Sequence, residues 1–118
     1  EVLRAGESGP AVATELVGGS TTSVGTSEAL SNQGGGAVPP ELIKPLTDTG
    51  IPVNNPWIQF AETRTHGCAF ATVSDTEVRA QYLGSQDVTT SEASRQVRTL
   101  ADLRVARGKP GVEVLESS

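Results

Sequence analysis

The residues best equipped for chemistry lie near the middle of the chain. His66 and Cys68, the only histidine and the only cysteine of the 118 residues, are two positions apart. A metal site, or a nucleophile with its base and orienting group, needs more functional side chains than these two supply. An enzymatic function therefore requires residues from outside this chain. We interpret Cys68, which lies in an apolar run, as a buried free thiol and His66 as a structural hydrogen-bond partner.

A second group of polar residues follows two glycines in the first quarter of the chain. Gly18 and Gly19 precede a run of four hydroxyl residues, Ser20–Ser23. Backbone amides and hydroxyls in such a loop are able to hold an oxyanion. The loop lacks the lysine of a phosphate-binding P-loop, and no clear helix follows it. A plain polar loop is therefore the simpler interpretation, and the anion site is the alternative.

The aromatic residues predict where the chain packs. All four lie between Asn54 and Tyr82: Trp57, Phe60, Phe70 and Tyr82. Each aromatic side chain buries roughly 150–250 Å². Elsewhere apolar residues are scarce, because Leu, Ile, Val and Phe make up about 23% of the chain, close to the roughly 20% below which chains tend to stay disordered. We expect a small core and a partner surface that covers the rest.

Charge and hydropathy narrow the function classes. The net charge of −5 and the pI near 4.8 argue against a nucleic-acid partner, because phosphate binding needs clustered Lys and Arg. No apolar run approaches the ~20 residues of a bilayer span, and no signal segment is visible at the start, so we expect no transmembrane segment. The chain begins at Glu1 and contains no methionine. We expect a processed chain of a longer, secreted precursor.

Periodicity predicts a mostly β chain with one short helix. We predict a strand and loop at 11–23, a flexible loop at 24–38 and a short helix at 39–47. The remainder, 54–115, is predicted to be rich in strands. The predicted strands are Ala11–Val17, Trp57–Phe60, Gly67–Val73, Glu77–Leu83 and, in preference to a helix, part of Ser91–Arg107. Residues 112–115 are either one last strand or a loose tail. Pro52 and Pro56 predict an extended, stiff turn at Ile51 and Asn55.

The residue pattern also predicts which strand faces are buried. In Gly67–Val73 small and apolar residues alternate on both sides, which indicates a strand buried on both faces. In Glu77–Leu83 three apolar residues alternate with charged and polar ones. That pattern is typical of an outer antiparallel strand with one solvent-exposed face. Ser74 and Asp75 supply the turn chemistry between the two strands.

Several segments match one known family in order and spacing. They are AVATELVGGSTTS at 11–23, NNPWIQF at 54–60, THGCAFATV at 65–73, DTEVRAQYL at 75–83 and SEASRQVRTLADLRVARGKPG at 91–111. Together they resemble the C-terminal portion of the PhoD-type alkaline phosphatases and phosphodiesterases, which include secreted actinobacterial phospholipases D. The resemblance covers most of the chain. Trp57 stands where that family often has His, and Cys68 where it has Tyr.

The resemblance implies an α/β fold in which this chain is the β-rich C-terminal part of a layered metallophosphoesterase sandwich, with one short helix. An N-terminal chain of the same precursor would complete the fold and hold the metal cluster, iron with calcium or zinc, with no metal bound by this chain alone. The implied substrate is a phosphate ester or phospholipid, hydrolysed only by the two chains together. The resemblance assigns no catalytic residue or metal ligand here and gives Ser20, Thr22, Asn55 and Trp57 to the substrate rim.

Two other functions remain open at this point. The chain is alternatively an independent secreted β-rich module that binds surfaces or carbohydrate, with Trp57 and Tyr82 as its platform. As a third option it is a regulatory lid over the active site of its own enzyme, with mobility supplied by Gly34–Gly36.

Overall fold

The computed structural model describes residues 2–4, 11–23, 25, 29, 39–45, 49–85 and 96–117. Two strands, β1 (Val2–Arg4) and β2 (Ala11–Thr14), form an antiparallel pair. Among the described residues that follow are the short helices α1 (Pro40–Pro45) and α2 (Ile51–Asn54). Most of the predicted loop at 24–38, the end of the predicted helix and residues 91–95 lie outside the described residues.

The main sheet is a four-stranded antiparallel meander. Its strands are β3 (His66–Val73), β4 (Glu77–Ser85), β5 (Arg98–Ala106) and β6 (Glu113–Ser117), in that spatial order. The part of the chain that the structure describes is therefore mostly β with little helix, as the residue pattern predicts. Residues 113–117 form a strand, which decides between the strand and the loose tail for this segment.

Local hydrogen bonding explains the turn between β3 and β4. The Ser74 hydroxyl accepts the backbone amide of Glu77 at 3.1 Å, and the Ser74 amide donates to the Glu77 carbonyl at 2.9 Å. A short polar side chain that bonds its own turn is what makes serine favourable in this position. The turn predicted from Ser74 and Asp75 lies where it was expected.

Prolines shape the segment before β3 differently from the prediction. Ile51 begins α2 instead of an extended turn, because Pro52 lies in the first helical turn, where its fixed φ suits a helix and its missing amide costs nothing. The predicted strand Trp57–Phe60 is also wrong: the Ile58 amide bonds the Asn55 carbonyl at 2.9 Å and closes a local turn. The first predicted strand, Ala11–Val17, ends at Thr14.

Strand positions overturn two predictions about burial. β4 lies between β3 and β5 and is an inner strand, not an outer one. β3 is the strand at the edge, and residues 68–73 are all exposed, so the prediction of two buried faces is wrong. Cys68 is likewise exposed and not a buried thiol. β3 is exposed because, among the described residues, it has a neighbouring strand on one side only and little packs over its two faces.

The core is small and centres on β5. The described apolar residues that are buried are Ala80, Leu100, Ala101 and Leu103. Phe60 and Tyr82 pack above them with ring centroids 6.2 Å apart, tilted by 47°. Phe70 and Trp57, by contrast, are 61% and 40% exposed. The expected aromatic packing centre is therefore built from two of the four rings.

Two glycines allow β3 and β4 to approach closely at one end of the sheet. Gly67 and Gly84 are directly opposite each other. A Cβ on Gly67 would overlap the Leu83 carbonyl oxygen, and one on Gly84 would lie 2.7 Å from Leu100 Cδ1 and 2.8 Å from the His66 carbonyl oxygen. No side chain larger than hydrogen fits at either position without moving backbone.

Replacing Gly67 therefore tests the close approach. We expect Gly67→Ala to lower the free energy of unfolding by about 1–3 kcal/mol, the usual cost of overpacking. Gly19→Ala is the matched control, because nothing lies within 4 Å of a Cβ built there. Urea unfolding followed by circular dichroism measures both; equal stability of the two variants would contradict the close approach.

Candidate functional site

An open groove of about 430 Å³ lies beside the small core. One wall comes from the sheet, where Tyr82, Leu100 and Leu103 face the segments that cross over it. The other wall comes from the residues after β2 and from the stretch between α2 and β3. Apolar residues that line it on this side include Leu16, Ile51, Ile58 and Phe60.

Polar groups lie at a few points of the groove. Glu15, Glu62, Thr63 and Thr65 contribute to its lining. Glu62 also accepts the backbone amide of Arg64 at 2.6 Å and its guanidinium at 3.1 Å. The Thr65 hydroxyl is buried and has no hydrogen-bond partner among the described residues. Of the described residues that line the groove, none is Lys, Arg or His, so the groove suits an apolar group better than a phosphate.

Partial burial in this groove changes the pKa of Tyr82. Desolvation raises the pKa of Tyr82 above its usual value of 10.0, because the charged phenolate is disfavoured away from water. Phe60 is the ring that packs on it. Tyr82 therefore reports how well the groove is closed from solvent.

The hydroxyl loop lies beside the groove and bonds mainly with itself. Gly18 and Gly19 line the groove, but Ser20 and Thr22 do not. The Ser20 hydroxyl accepts the amides of Thr22 at 3.2 Å and Ser23 at 2.9 Å. These two amides are engaged and do not point freely to an anion. The geometry favours the plain polar loop over the oxyanion site.

The two other residues predicted for the substrate rim lie at the end of α2. The Asn55 side-chain amide and backbone amide both donate to the Ile51 carbonyl, at 3.0 and 2.9 Å, so Asn55 closes the helix. Trp57 follows in the turn and is 40% exposed. Neither residue lines the groove, although their neighbours Ile51 and Ile58 do. The structure thus leaves Trp57, with its exposed ring, as the predicted rim residue best placed to touch a ligand.

The opposite face of the sheet carries an ion pair that sequence reasoning missed. Asp102 is 4% exposed, and the Arg79 guanidinium donates to both its carboxylate oxygens, at 2.8 and 2.5 Å. The Gln81 amide donates to Asp102 at 3.2 Å. The signal available was a carboxylate between two apolar neighbours on a strand, because a buried carboxylate needs a partner. This network holds neighbouring strands together and lies away from the groove lining.

The network also sets the protonation of its members. The hydrogen bonds from Arg79 hold the pKa of Asp102 below its usual 3.8, with a smaller contribution from Gln81 and an opposing one from burial. The same pairing raises the pKa of Arg79. Arg104 makes further ion pairs on this face, with Glu77 at 3.5 Å and Glu113 at 3.2 Å, but such exposed pairs contribute little to stability.

His66 and Cys68, the two residues with the most reactive chemistry, lie at the start of β3. His66 is buried and Cys68 is exposed. Across the described ranges no three His, Cys, Asp or Glu side chains are grouped as a metal site requires. In the same ranges no helix has the length and apolar character needed to cross a membrane.

Comparisons with protein families, curated proteins and solved structures found no match for the chain.

The tyrosine is a direct probe of the groove. The chain has a single tyrosine, so an absorbance titration of tyrosinate follows Tyr82 alone. We expect its pKa to lie above 10.0 in the folded chain, to return to about 10 in urea, and to fall in Phe60→Ala. Phe70→Ala is the control, because Phe70 is exposed on β3. A raised folded-state pKa means that stability present below pH 10 is lost as pH rises through the Tyr82 pKa; an equal response of both variants would contradict burial by Phe60.

The ion pair between Arg79 and Asp102 predicts that the stability of the fold decreases in acid. Because the folded-state pKa of Asp102 is depressed, its contribution to stability is present above the unfolded value near 3.8 and is lost as pH falls through the folded value. Urea unfolding from neutral to strongly acidic pH should show this loss. Asp102→Asn should reduce stability at neutral pH and flatten the acid-dependent part of the curve. Glu116→Gln is the matched control, since Glu116 lies opposite Asp102 on β6 but is exposed; the hypothesis fails if it flattens the curve as much.

Proposed function

We propose that this chain is the C-terminal, sheet-forming part of a secreted metal-dependent phosphoesterase of the phospholipase D or alkaline phosphatase kind, acting with an N-terminal chain of the same precursor. The order and spacing of its segments, which resemble that family over most of the length, support the class of enzyme. The main sheet would form one layer of an α/β sandwich. The N-terminal chain would supply the other layer.

The observation that carries the two-chain proposal is incomplete burial. Four described apolar residues are buried, whereas ten large apolar side chains are exposed, among them Val53, Phe70 and Val73 at 73%, 61% and 74%. Single exposed apolar residues are ordinary, but so many around so small a core indicate surfaces that a partner covers. A second layer packed on the main sheet would bury those that lie on it, such as Phe70 and Val73.

Among the described residues no three His, Cys, Asp or Glu side chains lie together. In this proposal the metals and the catalytic groups belong to the N-terminal chain. The present chain contributes residues that contact the substrate at the rim of the active site. Trp57 and the residues near it, with Ser20, Thr22 and Asn55, would form the rim against the substrate. The apolar groove next to them would accept the organic part of an ester or lipid rather than its phosphate.

The first experiment assays the 118-residue chain by itself against a chromogenic phosphate diester with iron, zinc and calcium supplied. We expect no turnover, because the single His and the single Cys of the chain are too few for a nucleophile with its base and orienting group. Purification from the native source under mild conditions, followed by intact mass measurement, should then reveal a second polypeptide and diesterase activity in the complex. Turnover by the chain alone at the rate of a true enzyme would contradict the proposal, and so would a folded monomer that carries no companion.

Trp57 tests the rim assignment within that complex. Trp57→Ala should raise KM for a phospholipid more than for a small diester, with kcat little changed, because the ring contacts the leaving group and not the reacting atoms. Asn54→Ala is the control, since Asn54 is a polar, exposed residue that lies three residues away. Equal kinetic effects of the two variants would remove Trp57 from the rim.

The independent binding module remains the second candidate. Its platform would use Trp57, whose ring is 40% exposed, together with Tyr82, which lines the groove. Cooperative unfolding of the isolated chain, with a carbohydrate or surface ligand that shifts the midpoint, would favour it. The lid function relies on Gly34–Gly36, which lie outside the described residues.

A further inference from the structure

Strand β3 leaves one edge of the main sheet without a neighbouring strand among the described residues. β3 is eight residues long and pairs with β4 on one side only, within the part of the chain that the structure describes. Natural sheets usually blunt such an edge with charged residues, proline or a bulge. β3 has none of these: its pairing with β4 is regular, and from Gly67 to Val73 no residue is charged.

Hydrogen bonds at the two ends of β3 show which backbone groups point outward. In an antiparallel pair, residues alternate between those whose amide and carbonyl both face the neighbouring strand and those that face away. The Ser74 amide bonds the Glu77 carbonyl, whereas the Gly67 amide bonds the Ser20 carbonyl at 3.3 Å, outside the β3–β4 pair. The backbone amides and carbonyls of the odd-numbered residues of β3 therefore face the open edge. The Gly67 amide already bonds Ser20, so the residues whose amide and carbonyl are both open to a new strand are Ala69, Ala71 and Val73.

These three residues have the spacing that a two-fold pairing requires. A second β3 in antiparallel orientation, centred on Ala71, places Ala71 opposite its own copy and Ala69 opposite Val73. All three outward residues then pair, with about two hydrogen bonds for each hydrogen-bonded pair. Phe70 comes opposite Thr72 of the copy, so the exposed ring gains a neighbour on the same face. No charged side chain lies opposite another.

The other edge of the sheet shows the contrast. β6 is also at an edge, but it carries Glu113 and Glu116, both exposed. A copy of β6 would place four carboxylates along one junction of a chain whose net charge is already −5, and charged residues on an edge strand oppose pairing with another strand. Charge therefore disfavours self-pairing at β6, whereas β3 carries no charge to oppose it.

We propose that β3 is a self-association edge: two copies of this chain pair antiparallel through Ala69, Ala71 and Val73 about a two-fold axis at Ala71, and the two meanders become one continuous sheet. The occupant of the edge is a second copy because the edge is uncharged, self-complementary in spacing and limited on one side by Ser20. The inference stands whether or not the chain belongs to a phosphoesterase.

Sedimentation velocity of the full chain, from micromolar to submillimolar concentration, tests the association. We expect a concentration-dependent dimer whose dissociation constant rises at least about tenfold in Val73→Lys, since each lysine would lie opposite Ala69 of the other copy and add a charge to the paired edge. Val114→Lys is the matched control, because it places the same charge on an exposed valine of the β6 edge. A monomer at every concentration, or an equal loss of dimer in both variants, would overturn the proposal.

Crosslinking fixes the register independently of affinity. In a Cys68→Ser background, Ala71→Cys should yield a disulfide-linked dimer under mild oxidation, because the two-fold axis places the two copies of this residue within disulfide reach. Thr72→Cys in the same background faces Phe70 of the copy and should crosslink far more slowly. Far-ultraviolet circular dichroism confirms that each variant folds. Equal crosslinking of the two variants, or a heteromeric complex that uses this edge while the chain alone stays monomeric, would also overturn the proposal.

Discussion

Strand β5 is the element on which the rest of the described structure depends. Its residues Leu100–Leu103 are the longest buried run in the described ranges. On one face Leu103 lines the groove together with Phe60 and Tyr82, and on the other Asp102 is held by Arg79 and Gln81. An apolar layer and a hydrogen-bonded carboxylate thus stabilise the same strand from opposite sides, which is how so few apolar residues secure a sheet.

Away from β5 the burial falls off rapidly. β3 and β6 form the two edges, and most of their residues are exposed. The groove lies between the buried residues of β5 and the exposed parts of the chain. Leu100 and Leu103 of the core line it on one side, and segments with little regular structure line it on the other. A scarcity of large side chains therefore accounts for the small core and for the groove that is left open beside it. Both the proposed second layer and the proposed pairing through β3 would add burial that the chain lacks on its own.

Much of the fold could be predicted from the residue pattern. Gly67–Val73 and Glu77–Leu83 agree with β3 and β4 to within two residues, and their turn follows from Ser74. Glu77–Leu83 alternates strictly and Gly67–Val73 is a short run of small and apolar residues, and both patterns are local properties of the sequence. Position in the sheet was not predictable in the same way: β3 was expected to be buried and lies at an edge, because small residues such as Ala and Gly occur in both settings.

The candidate site was less accessible to sequence reasoning than the strands. Ser20 and Asn55 were selected for their chemistry, but both use it on their own loop or helix end. Arg79 and Asp102 are 23 residues apart and meet only because β4 and β5 pair in one register. By itself the sequence determined the alternation of strands, the turn at Ser74 and the poverty of the core, since these depend on neighbouring residues and composition. Only the tertiary structure decided which strand is left without a neighbour, which carboxylate is buried and which rings pack, because those outcomes depend on contacts between residues far apart in the chain.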